Sequence, residues 1–511
     1  METPIYSIFN EVLGPIMYGP SSSHSAAPCR IGFLCQQLLG EDVRRAEIYF
    51  DPASSYAATY KYHCSDRGFV AGLIGIRVDQ DENLRAFEIA KERGVEITFH
   101  IEPQENTHPN YAKLCLHGIN ENVEIGTIST GGGMLELVSI DGFPISVSGD
   151  RCHIFVKNPE AFEASSSMSD EAFSVVSDGS GNRLLAVESF DGSFPNLPKG
   201  EWTRQCDPIL PVPALAEYEM PFRTYSEAVA YGQEHGLSAG ELGITYECAR
   251  SGKSREEVLA MMCEIMDVMH QSVLDSTSRP NTTLNDIYPL KATTVSQGNS
   301  DLPEALKQIA DISTHAIAVF EHTLSIGRVV AAPTGGSCGV IPAAVVELGK
   351  RLGKSDEEII RGLFAAGLVG IFVAEEATFG CEVAGCQAEN GSGSAMAAAG
   401  LSELLGASME NAFDAAAIAM QNTLGLICDP VGCAYVPCVA RNAMAAVNAV
   451  SATTLVCSGY KVYIPLNQTI QTMMNVGRKM PACHRCTGGG LNLTPAGTKL
   501  NEREEIYRNS L

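Results

Sequence analysis

A chain of 511 residues is long enough for two or three domains and a large buried core. Apolar residues make up 45% and charged residues 19%, a composition that belongs to folded globular proteins and not to disordered ones. Sixty acidic against 35 basic side chains give a net charge of −25, which repels polyphosphate and argues against nucleic acid as a partner.

Residues 1–29 carry no Lys or Arg, so the basic start of a targeting peptide is not expected. From there to residue 158 the pattern is α+β. Alternating or β-branched runs predict strands at Ala46–Phe50, Val95–Ile101, Asn122–Ser129 and Met134–Ile140. Between them Glu82–Arg93 has helical spacing, with Gly94 as its stop. The triplet Gly131-Gly132-Gly133 breaks a strand pair and predicts a tight turn or a close backbone approach. Residues 159–221 change character. Ser165–Ser167, the run Asp178-Gly179-Ser180-Gly181 and five prolines from Pro195 to Pro213 predict a connector, with the apolar run Leu184–Val187 leaving room for a small subdomain.

From 222 to 511 the pattern turns helical. Thr224/Glu227, Ser254/Glu257 and Ser355/Glu358 each fit a capping box. Helices at Phe364–Ala374, Ser394–Leu405 and Ala440–Val450 are apolar nearly all round and are expected at the centre of a bundle. The longest apolar run, Gly362–Ala374, is too short to cross a bilayer and is followed by Glu375-Glu376. The expected fold class is therefore an α+β N-terminal domain plus a largely all-α C-terminal catalytic domain.

Several polar motifs are candidates for chemistry. Ser21-Ser22-Ser23-His24-Ser25 precedes an apolar helical segment, where hydroxyls and unsatisfied N–H groups suit a carboxylate; it reads equally as a plain N-cap. His63 stands three residues before Asp66, a spacing that lets a carboxylate orient an imidazole for acid–base work. Thr107-His108-Pro109-Asn110 is a polar turn. The loop Thr334-Gly335-Gly336-Ser337-Cys338-Gly339 offers N–H groups to an anion but lacks the Gly-Lys-Ser/Thr ending of a Walker motif.

Seventeen cysteines, an odd number, predict reduced thiols and a cytoplasmic setting. Cys386, Cys428 and Cys438 lie in glycine- and proline-punctuated turns between Ala-rich stretches, where soft thiolates could converge on an iron–sulfur cluster. Cys433 lies between the last two and competes as a ligand. Cys483 and Cys486 form the one C-x-x-C pair, without a second pair to complete a zinc ribbon. Three buried structural thiols in an Ala-rich bundle is the plain alternative.

Taken together these motifs resemble the iron–sulfur-dependent L-serine dehydratase (L-serine ammonia-lyase) family over most of the chain. The likeness rests on GPSSSHSAAPCRIG, YHCSDRGFVAGLIG and the THPN turn in the first part. In the second it rests on GRVVAAPTGGSCGVIPA, GCQAENGSGSAMAAAG, CDPVG with VPCVARNAMAAV, and GGLNLTPAGTKL. The resemblance implies a β-type domain at 1–158, a connector at 159–221 and an α-type cluster-binding domain at 222–511. It implies a [4Fe–4S] cluster on Cys386, Cys428 and Cys438, with Cys433 and Cys486 as alternates. It also implies His63 and His24 as catalytic imidazoles with Asp66 beside them. Substrate contacts would come from Ser21, Ser22, Ser23, His108, Asn110, Thr334, Gly336 and Ser337.

The sequence departs from the family in several places, the 159–221 connector among them. Tyr62 and Cys64 flank His63 where glycines are usual, the Cys428–Cys438 interval is one residue short, and Cys483-His484-Arg485-Cys486 replaces a stretch that commonly carries Glu-Thr. The expected reaction is dehydration and deamination of L-serine. The alternatives are the same fold acting on L-cysteine or another β-substituted amino acid, or a non-catalytic amino-acid-binding module. A lysine-bound pyridoxal route finds no lysine in a suitable loop. A homodimer is expected, since large mixed α/β enzymes commonly pair.

Overall fold

A computed structural model of the chain describes residues 4–106, 108–160, 173–194, 197–278, 283–284, 288–432, 436–486 and 489–508. It divides into two compact units: Ser21–Glu217, and Tyr218–Leu511 together with Met1–Pro20.

The first unit is built on a six-stranded sheet. In chain order its elements are α1 (Ala27–Leu39), β1 (Arg45–Phe50), α2 (Ser55–Thr59), α3 (Ser65–Leu73), α4 (Ala86–Glu92), β2 (Glu96–Ile101), β3 (Tyr111–His117), β4 (Asn122–Gly131), β5 (Met134–Ile140) and β6 (Phe143–Val147). The strand order is β2-β1-β3-β4-β5-β6, with β1 and β2 parallel and every other pair antiparallel. Alternation along β1 and β3 turns Ala46, Ile48, Phe50, Leu114 and Leu116 onto one face, where Ile31, Leu34 and Leu38 of α1 cover them. The glycine triplet does make a hairpin: Gly131 pairs with Met134, and Gly132 and Gly133 take φ of +61° and +87°, which a two-residue turn needs. The helix expected over 82–93 is split, a 3₁₀ turn at Asp81–Arg85 leading into α4.

The segment expected as a connector supplies three strands of a second sheet, whose remaining strand precedes it. Strands β7 (Cys152–Lys157), β8 (Phe173–Ser177), β9 (Arg183–Ser189) and β10 (Trp202–Cys206) form an antiparallel sheet in the order β10-β7-β9-β8. Ser165–Ser167 lie outside the described residues.

The second unit is helical: α5 (Tyr225–His235), α6 (Ala239–Ser251), α7 (Arg255–Thr277), α8 (Glu304–Leu324), α9 (Asp356–Glu376), α10 (Ser392–Leu404), α11 (Met409–Gln421), α12 (Val436–Cys457) and α13 (Leu466–Lys479). All three expected capping boxes are formed, at the starts of α5, α7 and α9. Helix α9 is buried along most of its length. Glycine lets its neighbours reach it, for a Cβ on Gly400 of α10 would stand 2.7 Å from the Gly362 carbonyl. The first residues of the chain pack on another side of α9. Ile8 and Val12 fit against Gly367 and Gly370 of α9, and the Ser7 hydroxyl and Ile8 N–H both donate to Glu247 of α6 at 2.7 Å. No described helix is long and apolar enough to cross a membrane.

Candidate functional site

In the sheet unit the three polar motifs of the sequence meet. Ser21 caps the turn that leads into α1, accepting from the His24 N–H at 3.2 Å, so the serine cluster does serve as an N-cap. Its hydroxyl lies 3.3 Å from that of Ser23, which in turn contacts His24 Nδ1 at 2.8 Å. His24 Nε2 contacts the Ser55 hydroxyl at 2.9 Å. Ser22 and His24 are buried. Both nitrogens of His24 are thus held by serine hydroxyls.

The His63 ring stands edge-on to His24, centroids 4.9 Å apart, and the Ser25 hydroxyl donates to the His63 carbonyl. Cys64, between His63 and α3, adopts φ +57°, a left-handed conformation that turns the chain into the helix. Asp66 lies in the first turn of α3, where its Oδ1 accepts from the Arg67 N–H at 2.8 Å; burial raises its pKa to about 6.

The His108 turn joins the cluster through Ser55, whose N–H donates to the Pro109 carbonyl at 2.8 Å. His108 Nδ1 accepts from the Asn110 N–H at 3.1 Å, and burial lowers its pKa, favouring neutral imidazole. Asn110 is buried, and its Oδ1 has no partner among the described residues.

In the helical unit, backbone bonds stitch the cysteine loops together. Gln387 N–H donates to the Leu426 carbonyl at 3.1 Å, Cys428 N–H to His484 at 2.9 Å, and Cys486 N–H back to Cys428 at 2.8 Å. Asn442 on α12 donates to the carbonyls of Gly336 and Cys438, at 2.8 and 3.1 Å, so one side chain spans the 334–337 loop and the start of its own helix. The Thr334 hydroxyl donates to Glu389 at 2.7 Å and lies 3.3 Å from the Ser337 hydroxyl. A Cβ at Gly336 would overlap the Glu389 carboxylate, which explains glycine there. Burial raises the pKa of Glu389 to about 7.

Cys386, Cys428 and Cys438 are all buried. Asn390 Nδ2 donates to the Cys386 sulfur at 3.1 Å. Burial, assisted by Glu389, pushes the Cys386 thiol up to about 12, against the pull of Arg441. Burial and then the Cys386 charge raise Cys438 as well. Protons therefore stay on these sulfurs at neutral pH unless a metal displaces them. Arg441 donates through Nη2 to Asp429 at 2.6 Å, and its buried Nη1 has no partner among the described residues. A guanidinium whose charge reaches both Cys386 and Cys438 suits an anionic, metal-bound thiolate set. The donor chemistry therefore fits an iron–sulfur cluster. Cys381, Cys428 and Cys486 form a further group able to hold a metal, their sulfurs within 4.8 Å of one another. Cys433 lies outside the described residues.

Sequence reasoning missed Cys381, Glu389 and Arg441. The last two sit inside motifs that had drawn notice, AENGSGS and CVARNAM, and Arg441 follows Cys438 by three residues, one helical turn on the same face. Cys381 carried no signal beyond its nearness in sequence to Cys386.

Thiols from separate loops, a buried acid and an arginine come together in one helical unit, and three of the thiols are close enough to hold a metal. A family model described as "Serine dehydratase alpha chain" matches residues 234–492, and the chain belongs to that family of lyases. It is 36% identical over 288 residues to a protein of Bacillus subtilis named "Probable L-serine dehydratase, alpha chain", covering 55% of this chain and 95% of that one. An "L-serine dehydratase, alpha chain" of Peptoniphilus asaccharolyticus is 33% identical over 280 residues, 54% of this chain and 96% of its own. A Haemophilus influenzae "L-serine dehydratase" is 27% identical over 491 residues, 92% of this chain and 95% of its own.

Proposed function

We propose that the chain dehydrates and deaminates L-serine to pyruvate and ammonia, using a [4Fe–4S] cluster held by Cys386, Cys428 and Cys438. The observation that carries this reading is the burial of these three thiols, with Cys386 close enough to influence the other two, beside the charge of Arg441 in a serine dehydratase helical domain. Held by Cys386, Cys428 and Cys438, such a cluster would supply Lewis acidity toward the substrate's hydroxyl and carboxylate.

The chain's own groups do the rest. Arg441 offsets the negative charge of the thiolates. The Thr334–Ser337 loop, with Gly336 giving room, positions the amino acid, while Ser21, Ser22, Ser23, His108 and Asn110 bind its carboxylate. His63 removes the α-proton as neutral imidazole, with Asp66 tuning it. His24, both of whose nitrogens are occupied by serine hydroxyls, ranks second as base and first as the group that orients its neighbours. Loss of the α-proton and of the β-hydroxyl as water gives aminoacrylate, which tautomerises and hydrolyses to the keto acid and ammonia. General-base help is worth about 10²–10⁴-fold. The reading includes a reducing cytoplasmic setting.

The test is an anaerobic preparation assayed for iron, acid-labile sulfide and pyruvate release from L-serine. Cys386→Ala and Cys428→Ala are expected to lose visible absorbance and turnover together, while His63→Ala keeps the absorbance and loses turnover by about 10²-fold or more. Full activity in a colourless, exhaustively chelated sample would overturn the reading.

A further inference from the structure

We propose that Cys381, Cys428 and Cys486 bind a single soft divalent cation of the zinc class, and that this ion, by holding Cys428, keeps the cluster from loading. The second half rests on the cluster reading above; the first does not.

The three sulfurs lie within 4.8 Å of one another. In a tetrahedral site with metal–sulfur bonds of about 2.3 Å, neighbouring sulfurs stand about 3.8 Å apart, so the observed group is nearly the size of a one-ion site. Thiolates that hold corners of a cubane must stand wider, because the cluster's body lies between them. A Glu382 carboxylate oxygen lies 3.5 Å from the Cys381 sulfur but stands outside the three-sulfur group, so water completes the coordination. Three thiolates select zinc-like ions over magnesium or calcium.

The backbone is arranged for this site. Cys428 and Arg485 form a parallel bridge, and the Cys428 N–H and carbonyl are engaged by His484 and Cys486 respectively. That pairing presents Cys486 to Cys428 at a backbone φ of +63°, which a non-glycine residue seldom adopts. Cys381 starts the short helical turn Cys381–Ala384, whose end is fixed by Gly385 at φ +76° against Met480. Two loops far apart in sequence therefore bring one thiol each to Cys428. Since Cys428 also belongs to the cluster set, one sulfur serves two competing ligand sets, and a soft cation in the first withholds it from the second.

The test uses the full chain, made metal-free under anaerobic reducing conditions and titrated with cobalt(II) as the spectroscopic probe. One equivalent should produce thiolate-to-cobalt charge transfer and the visible bands of tetrahedral cobalt. Cys381→Ser and Cys486→Ser should each remove about a third of the charge-transfer intensity and weaken binding by roughly tenfold or more. Cys386→Ser should leave both unchanged, and circular dichroism verifies that each variant is folded. Prior loading with zinc should slow iron and sulfide uptake in the parent chain but not in Cys381→Ser. No cobalt bands in the parent, or bands lost in Cys386→Ser and kept in Cys381→Ser, would overturn the ion site. Cobalt binding with unimpeded cluster uptake would overturn the competition alone. A chain that binds cobalt yet never takes up a cluster would leave the ion site standing and remove the cluster reading.

Discussion

At the scale of single residues, buried carboxylates set the chemistry of the helical unit. Glu247 is fully buried, accepts from Ser7 and Ile8, and has its pKa raised by burial from 4.5 to about 7. An acid whose folded pKa is raised binds its proton more tightly folded than unfolded, so its contribution to stability falls as pH climbs from about 4.5 through about 7. Comparing Glu247→Gln with the parent isolates this group. The stability advantage of the parent should shrink by up to about 3 kcal/mol between pH 5 and pH 8, measured by denaturant unfolding. A gap that stays constant with pH would show that Glu247 does not titrate in that window. Residues that the sequence left hidden likewise act through partners distant in the chain. Glu389 and Arg441 matter through partners on other loops, Thr334 and Asp429, and no local pattern encodes such a meeting. His24 and His63 were legible as candidates because serine and aspartate flank them, but their edge-on contact was not.

At the scale of elements, local rules were the readable ones. Capping boxes need only residues three apart, and all three predicted boxes form. Strands β4 and β5 follow from alternation and a glycine turn. The sheet formed by β7 to β10 was not readable, since its order β10-β7-β9-β8 puts non-consecutive strands side by side across a loop-rich stretch. Helix packing around α9 depends on missing side chains more than on present ones. Gly400→Ala should force a Cβ to within 2.7 Å of the Gly362 carbonyl, a backbone atom that cannot rotate away. The expected cost is about 1–3 kcal/mol in unfolding free energy. Ser355→Ala, which removes a cap at the exposed start of the same helix, should cost about 1 kcal/mol. If the glycine variant matched the parent, the two helices would have to be looser than the structure draws them.

At the scale of the whole molecule, the helical unit is discontinuous: the first twenty residues belong to it, while the next 197 form the other unit. The link is specific, since Ser7 reaches Glu247 across 240 positions of sequence, which is why no reading of the N-terminal segment by itself could place it. Ile8→Ala together with Val12→Ala should destabilise the helical unit by several kcal/mol, at about 2–5 for each truncated aliphatic side chain. Hydrogen exchange should show protection falling in α6 and α9 and unchanged in β3 and β4. The B. subtilis and P. asaccharolyticus relatives, at 95–96% of their own length, match only 54–55% of this chain.

A fragment starting at Tyr218 would lack its own opening segment and would bare a furrow along α9, floored by Gly367 and Gly370 and shaped to the branched side chains of Ile8 and Val12. Such a fragment would be sticky by construction, and a synthetic peptide copied from the chain's beginning is the natural stopper for the gap.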